Sequence, residues 1–200
     1  SKNVNIMKRL LFILPFALLF SFSGINVPKN SKSILITSQS QLEIKGTSNV
    51  TDFKCGYEIQ NLEQPIIVLY EKTNNTIQFE KSKLVLKNMD FDCGGKGINK
   101  DFHGLLKTEI YPTITLQLKE VKLNPDKKNK ADALIEIEIA GISNSYFMET
   151  DFVKNENWLI SGEMKLNIQD FNLKAPKKML GLVVVSNDIE IVFKLDLKEC

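Results

Sequence analysis

The chain has 200 residues, of which 26 are lysine or arginine and 24 are aspartate or glutamate, for a formal net charge of +2. So even a balance gives no electrostatic footprint for nucleic acid or an anionic membrane surface. Arg9 is the sole arginine, so no guanidinium fork follows it to grip a phosphate in bidentate fashion, and nucleotide chemistry drops out of the expected functions.

Lys8 and Arg9 stand before "LLFILPFALLFSF", an apolar run over 10–22 that ends in small residues. That order is expected of a secretory signal peptide, cleaved after Ser21-Phe22-Ser23 so that the mature chain starts near Gly24; residues 1–6 precede Met7 as an upstream extension. The run is shorter than the roughly 20 apolar residues of a membrane span and contains Pro15, so no stable membrane insertion is expected after cleavage. Loss of 1–23 removes Lys2, Lys8 and Arg9 but no acid, leaving 23 basic and 24 acidic residues. The remainder, 24–200, carries no Pro-, Gly- or Ser-rich linker and reads as one domain.

The first strand signal is "SQLEIKG", where Leu42 and Ile44 alternate with polar residues up to Gly46. "EQPIIVLYEK" and "NTIQFEK" follow as a hairpin turning near Asn74. Leu84 and Leu86 share a face in "KLVLKNMDFDC". Between 99 and 106 the period lengthens, because Phe102, Leu105 and Leu106 lie three to four residues apart; one short helix is expected there, capped by Asn99. "YPTITLQLKEV" then sets Ile114, Leu116 and Leu118 against Thr113, Thr115, Gln117 and Lys119. Beyond a charged turn, "ALIEIEIAG" groups Ile135, Ile137 and Ile139, and "LISGEMKLNIQDF" groups Ile160, Gly162, Met164, Leu166 and Ile168. "DIEIVFKLDL" closes the series. Mainly β structure follows, and antiparallel strands that are apolar on one face can form a sandwich or a closed barrel. Closure removes the unpaired edges that invite aggregation.

Cysteines occur at 55, 93 and 200. In an exported chain the expected disulfide is Cys55–Cys93, with two unpaired thiols as the alternative, and Cys200 is left free or open to an intermolecular bond. His103 is the lone histidine; Asp101 and Cys93 are its nearby helpers, too few for a metal site of three or four ligands. No Gly-x-Ser-x-Gly elbow supports a hydrolase built on it. Glu136 and Glu138 share a strand face, the solvated side of an antiparallel sheet rather than a glycosidase pair. The sequons at Asn49 and Asn74 carry no weight in a bacterial-looking chain, and the lysines at 127, 128 and 130 read as a solvated turn. No cofactor, metal site or catalytic residue is expected.

"KGTSNVTDFKC", "LLKTEIYPTITLQL" and "ISGEMKLNIQDFNLKAPKKMLGLVVVSNDIEIVFKLDL" together resemble the YceI-like family of exported, lipocalin-like proteins. The Gly-Thr-Ser strand end followed by Asp52 and Phe53, the Tyr-Pro lead into a long strand, and the Gly-x-x-x-Leu strand with Asp-Phe and a Pro-containing turn carry the likeness. The family's Arg-Asp-x-His-Leu stretch becomes "KDFHGLL" here, with Lys100 for the arginine, and Thr51 stands where relatives have histidine; no role passes to Asp101, His103 or Thr51. The resemblance implies a single antiparallel eight-stranded lipocalin-like β-barrel with one or two short helices, periplasmic or secreted, with an isoprenoid or other long-chain lipid inside. On that basis Ile114, Leu116, Leu118, Ile135, Ile137, Ile139, Met164, Leu166 and Ile168 are the expected wall, and Phe53, Phe79, Phe102, Leu105 and Phe171 the expected mouth. The competing expectation is an envelope stress or interaction protein whose barrel is filled by its own side chains, since one apolar stripe serves either.

Overall fold

A computed structural model describes residues 29–62, 64–178 and 182–200. The leader expected over 1–23 lies outside the described residues. In chain order the elements are β1 (Asn30–Ile36), β2 (Gln41–Ser48), β3 (Asp52–Tyr57), β4 (Ile66–Thr73), β5 (Thr76–Lys81), β6 (Lys83–Lys87), β7 (Phe91–Asp92), α1 (Lys96–Leu105), β8 (Thr113–Leu123), β9 (Lys130–Ile139), β10 (Ile142–Lys154), β11 (Trp158–Asn167), β12 (Lys177–Lys178) and β13 (Val183–Glu199).

Several of these are segments of one bent course. β1 and β2 lie along the same edge of β13, through Ile36 opposite Leu197 and Gln41 opposite Lys194. Between them the chain detours at Ser40, whose hydroxyl accepts from the Asp196 amide at 2.9 Å. β3 and β4 flank β2 and β1 in turn, and β5, β6 and β7 run beside β4, β8 and β3. Counted this way, eight antiparallel courses form a ring, closed where Ile34, Leu35 and Ile36 meet Glu199, Lys198 and Leu197. The barrel expected from the resemblance is the fold observed.

Local chemistry fixes the corners. The hairpin between β9 and β10 turns on Ala140 (φ 50°) and Gly141 (φ 79°), a pair of left-handed residues that suits the twist of tight hairpins. A Cβ on Gly141 would come within 2.7 Å of the Tyr111 ring, so that position also needs glycine for space. At the end of β11, Asn167 accepts from the Gln169 amide at 2.9 Å and starts a 3-10 turn, Ile168–Phe171. Ile168 therefore leaves the strand it was read into and turns under the barrel.

Cys55 and Cys93 form the disulfide. Gly56 opposite Asp92 and Tyr57 opposite Phe91 set the register that brings the two cysteines together, and the pair joins β3 to the chain just before α1. Cys200 is free and exposed.

Three readings need correction. The helix begins at Lys96, after Gly95, and not at Asn99. Asn99 lies within its first turns and uses its amide elsewhere, accepting from the Cys93 amide at 2.7 Å and donating to Asp92 at 2.9 Å, which anchors α1 to the exit of β7. β1 precedes the first strand read from the pattern, because "NSKSILI" is polar over its first half. β10 is a full strand that the pattern does not reveal, since polar Asn144 and Thr150 face inward while Phe147 and Val153 face out.

Candidate binding lumen

Strand register decides which side chains face the ring's interior. Across β8 and β9, Leu116 meets Ile137, Leu118 meets Ile135 and Val121 meets Ala133. Across β9 and β10, Ile135 meets Tyr146 and Ala133 meets Met148; across β11 and β13, Gly162 meets Phe193, Met164 meets Ile191 and Leu166 meets Ile189. Period-two alternation, reset on β8 by a bulge after Leu118, puts each of these on the inward face. The wall candidates on β8, β9 and β11 thus share one interior, with Ile168 below them in its 3-10 turn.

Their burial is not uniform along the barrel axis. Ile114, Ile137, Ile139, Met164, Leu166 and Ile168 are fully buried, with Ile137 at 0% exposure. Leu116, Leu118 and Ile135 are half-buried, as are the inward Tyr146, Phe193 and Leu195. An inward side chain in a closed ring has the sheet behind it, so its remaining exposure opens onto the lumen.

One end of that lumen is stopped. Phe171 and Cys55 have no exposure, Leu86 and Phe91 have 2%, and Leu106, which caps the end of α1, has 5%. Phe91 packs edge-on to Tyr57 at 4.9 Å between ring centroids and against Phe102 at 5.4 Å, so α1 and the disulfide lie over the same layer. The other end carries two half-buried aromatic pairs, Tyr70 with Phe79 at 6.0 Å and Phe152 with Trp158 at 6.2 Å. The Trp158 indole donates to Glu199 at 3.0 Å, and Lys154 stands 5.1 Å from its ring centroid. A hydrogen bond from Lys32 at 2.7 Å, with the indole's second, holds the Glu199 carboxyl below the usual carboxylate range.

The residues expected at the mouth are spread over both ends of the barrel. Phe79 stands at the open rim. Phe53 lies across the glycine opposite it, Gly46, and Phe102 and Leu105 project from α1 onto the core. Phe171 is a plug, wholly enclosed. The sequence gives each aromatic a face but not an end, which depends on what the loops cover. Tyr146, Phe152, Trp158 and Phe193 also face this interior, the first two through the alternation of β10 and Phe193 through that of "DIEIVFKLDL".

Polar groups are sparse within this wall. The Tyr146 hydroxyl donates to Asp170 at 3.0 Å, and burial pushes that phenol up to about 12. Asn144 donates to the Asp170 carbonyl at 2.8 Å, and Thr150 bonds the Ala131 carbonyl across the β9–β10 ladder. His103 lies on α1 with its Nε2 buried and unpartnered. Among the described residues no group of three or more His, Cys, Asp or Glu is arranged to hold a metal ion. Glu136 pairs with Lys119 at 3.1 Å on the outer face.

A cavity of about 900 Å³ lies near the stopped end, bordered by Lys45, Asp52, Lys54, Lys165, Asp188 and Glu190. These occupy outward positions on neighbouring strands, and Lys45 pairs with Glu190 at 3.6 Å. Gly46, Phe53, Leu166 and Ile189, which face inward on the same strands, complete its border, so it combines charged outer positions with apolar inner ones.

The fold and its apolar interior agree with the family comparison. The YceI-like domain matches residues 70–197, and the chain belongs to that family. Among solved structures, BcnA of Burkholderia cenocepacia aligns with a TM-score of 0.61 at 14% identity, covering 81% of this chain and 98% of its own. A polyisoprenoid binding domain from Saccharophagus degradans implicated in plant cell wall breakdown aligns at 0.58 and 12% identity, covering 84% and 98%. A mutant YceI protein of Campylobacter jejuni aligns at 0.51 and 16%, covering 64% and 78%. At these identities the likeness is one of fold. No protein in the curated set matches the sequence.

Proposed function

We propose that this protein binds an isoprenoid or other long apolar chain in its barrel and acts as a carrier or sequestering protein in the periplasm or outside the cell. The observation behind this reading is the inner wall of Leu116, Leu118, Ile135, Phe193 and Leu195, which faces into a closed ring and keeps exposed surface there. The name of the Saccharophagus relative supports the class of ligand. The disulfide supports an oxidising compartment. Binding on this reading is burial without chemistry. Covering about 400 Å² of apolar ligand surface gains roughly 10 kcal/mol before ordering costs, enough for useful affinity with few polar contacts.

The test is native mass spectrometry of the exported protein, with solvent extraction of whatever it carries. A stoichiometric isoprenoid or other long-chain adduct is expected. An empty protein that also refuses added long-chain lipids favours the competing reading, a barrel without cargo that acts through partner proteins.

A further inference from the structure

We infer that the Phe171 plug is the floor of the lumen and sets the length of apolar chain the protein accepts, tail first, with the polar head left at the aromatic rim. This deepens the lipid-binding reading and rests on it.

The β10 strand measures the depth. Tyr146, Met148, Thr150 and Phe152 are its successive inward residues, with Tyr146 against Phe171 at 6.1 Å between ring centroids and Phe152 in the rim pair with Trp158. From Tyr146 to Phe152 a strand advances about 20 Å at roughly 3.4 Å per residue, or about 15 Å along the axis of an eight-stranded barrel tilted by about 40°. Beyond Tyr146, Phe171, Ile168 and Leu173 are all buried.

The floor is also tied in place. The 3-10 turn that carries Phe171 receives two hydrogen bonds from β10, one from Asn144 to the Asp170 carbonyl and one from Tyr146 to the Asp170 carboxylate. A third bond, from the Gln169 amide to Asn167, fixes the start of the turn. Moving the plug to admit a longer chain would break this set. The direction of insertion follows from charge: Lys32, Lys154 and Glu199 gather around Trp158 at the rim, while Leu118, Ile135 and Met148 line the way down.

Alkyl maltosides from octyl to hexadecyl test this, because the disaccharide head is too bulky to follow its chain inside. Trp158 is the chain's one tryptophan and stands at the rim, so its emission reports occupancy, with calorimetry as a second readout. Below micelle-forming concentrations the dissociation constant is expected to fall about fourfold per added methylene until the tail reaches the floor, and then to stay level. Phe171→Leu and Phe171→Ala are expected to move this break to longer chains. Ile135→Phe, which adds bulk opposite Tyr146 and leaves the plug intact, is expected to move it to shorter ones. An affinity that climbs through the whole series, or a break that stays put in the folded variants, overturns the ruler and leaves lipid binding standing. Failure of every maltoside and of added isoprenoids to bind overturns the lipid reading itself.

Discussion

The two ends of this barrel are built from the same strands with the same alternation, yet side chains are buried more deeply at one than at the other. Phe171, Cys55, Leu86 and Phe91 have at most 2% exposure; the Ile168–Phe171 turn is bonded to β10, and Phe102 of α1 packs on Phe91 near the disulfide. At the open end, inward Tyr70, Phe79, Phe152 and Trp158 remain half-buried, and short turns follow β4, β8 and β10. On the proposed function, stability and binding capacity are thereby separated along one axis. A side chain that packs against others on every side contributes cohesion, whereas one that borders empty space contributes less and leaves surface for a guest.

Substitutions that sample each end can break this contrast. The largest effect is expected of Phe171→Ala, a cavity in filled core, at about 3–5 kcal/mol in chemical denaturation. Replacing both Cys55 and Cys93 by serine follows, because the bond closes a loop with a sequence separation of 38; its loss is expected to cost about 3–4 kcal/mol in the chain-entropy model. Hydrogen exchange should show faster opening around α1 in that variant than at the rim. Leu118→Ala, midway up the lumen, is expected to cost only about 1 kcal/mol because it enlarges a space already present, while weakening long-chain binding. A cost for Leu118→Ala equal to that of Phe171→Ala would mean a barrel filled from end to end.

The smallest effect concerns pH. Hydrogen bonds from Lys127 and then Lys130 pull the Glu149 carboxyl down to about 2, from an ordinary value of 4.5. A depressed carboxylate stabilises the folded state above its unfolded value, and that contribution fades as pH falls from about 4.5 towards 2. The group is exposed on the outer wall, so its effect is small. Glu149→Gln should lower the thermal midpoint slightly at pH 7 and by less at pH 2. A difference that persists undiminished in acid would place its cause outside this ion cluster.

Much of the wall was legible because period-two alternation is a local property: Ile114, Leu116 and Leu118, and Ile135, Ile137 and Ile139, face inward as their pattern requires. The outward, lysine-paired position of Glu136 was equally readable. The difference between Ile137 and Ile135, one enclosed and one half-open, was not, because both occupy the same face of the same strand. It arises from the plug beneath them, and Phe171 reaches that position only when Asn167 stops β11 and turns the chain. Asn99 shows the same limit. Its residue type suits a helix cap, but the nearest unpaired groups belong to Cys93 and Asp92, which tertiary structure brings within reach.

The seam that closes the ring has a kinetic consequence. β13 pairs with β11 on one side and with β1 and β2 on the other, so the earliest strands of the described chain find their partner only after the last has been made. Such pairings carry a large loop-closure cost before any contact rewards it, which places this protein among the slower folders for its size. Until β13 arrives, the edges of β1, β2 and β11 stand unpaired and open to other chains. Closure is thus expected to be a late step, and the interval before it is when a nascent copy most needs protection from its neighbours.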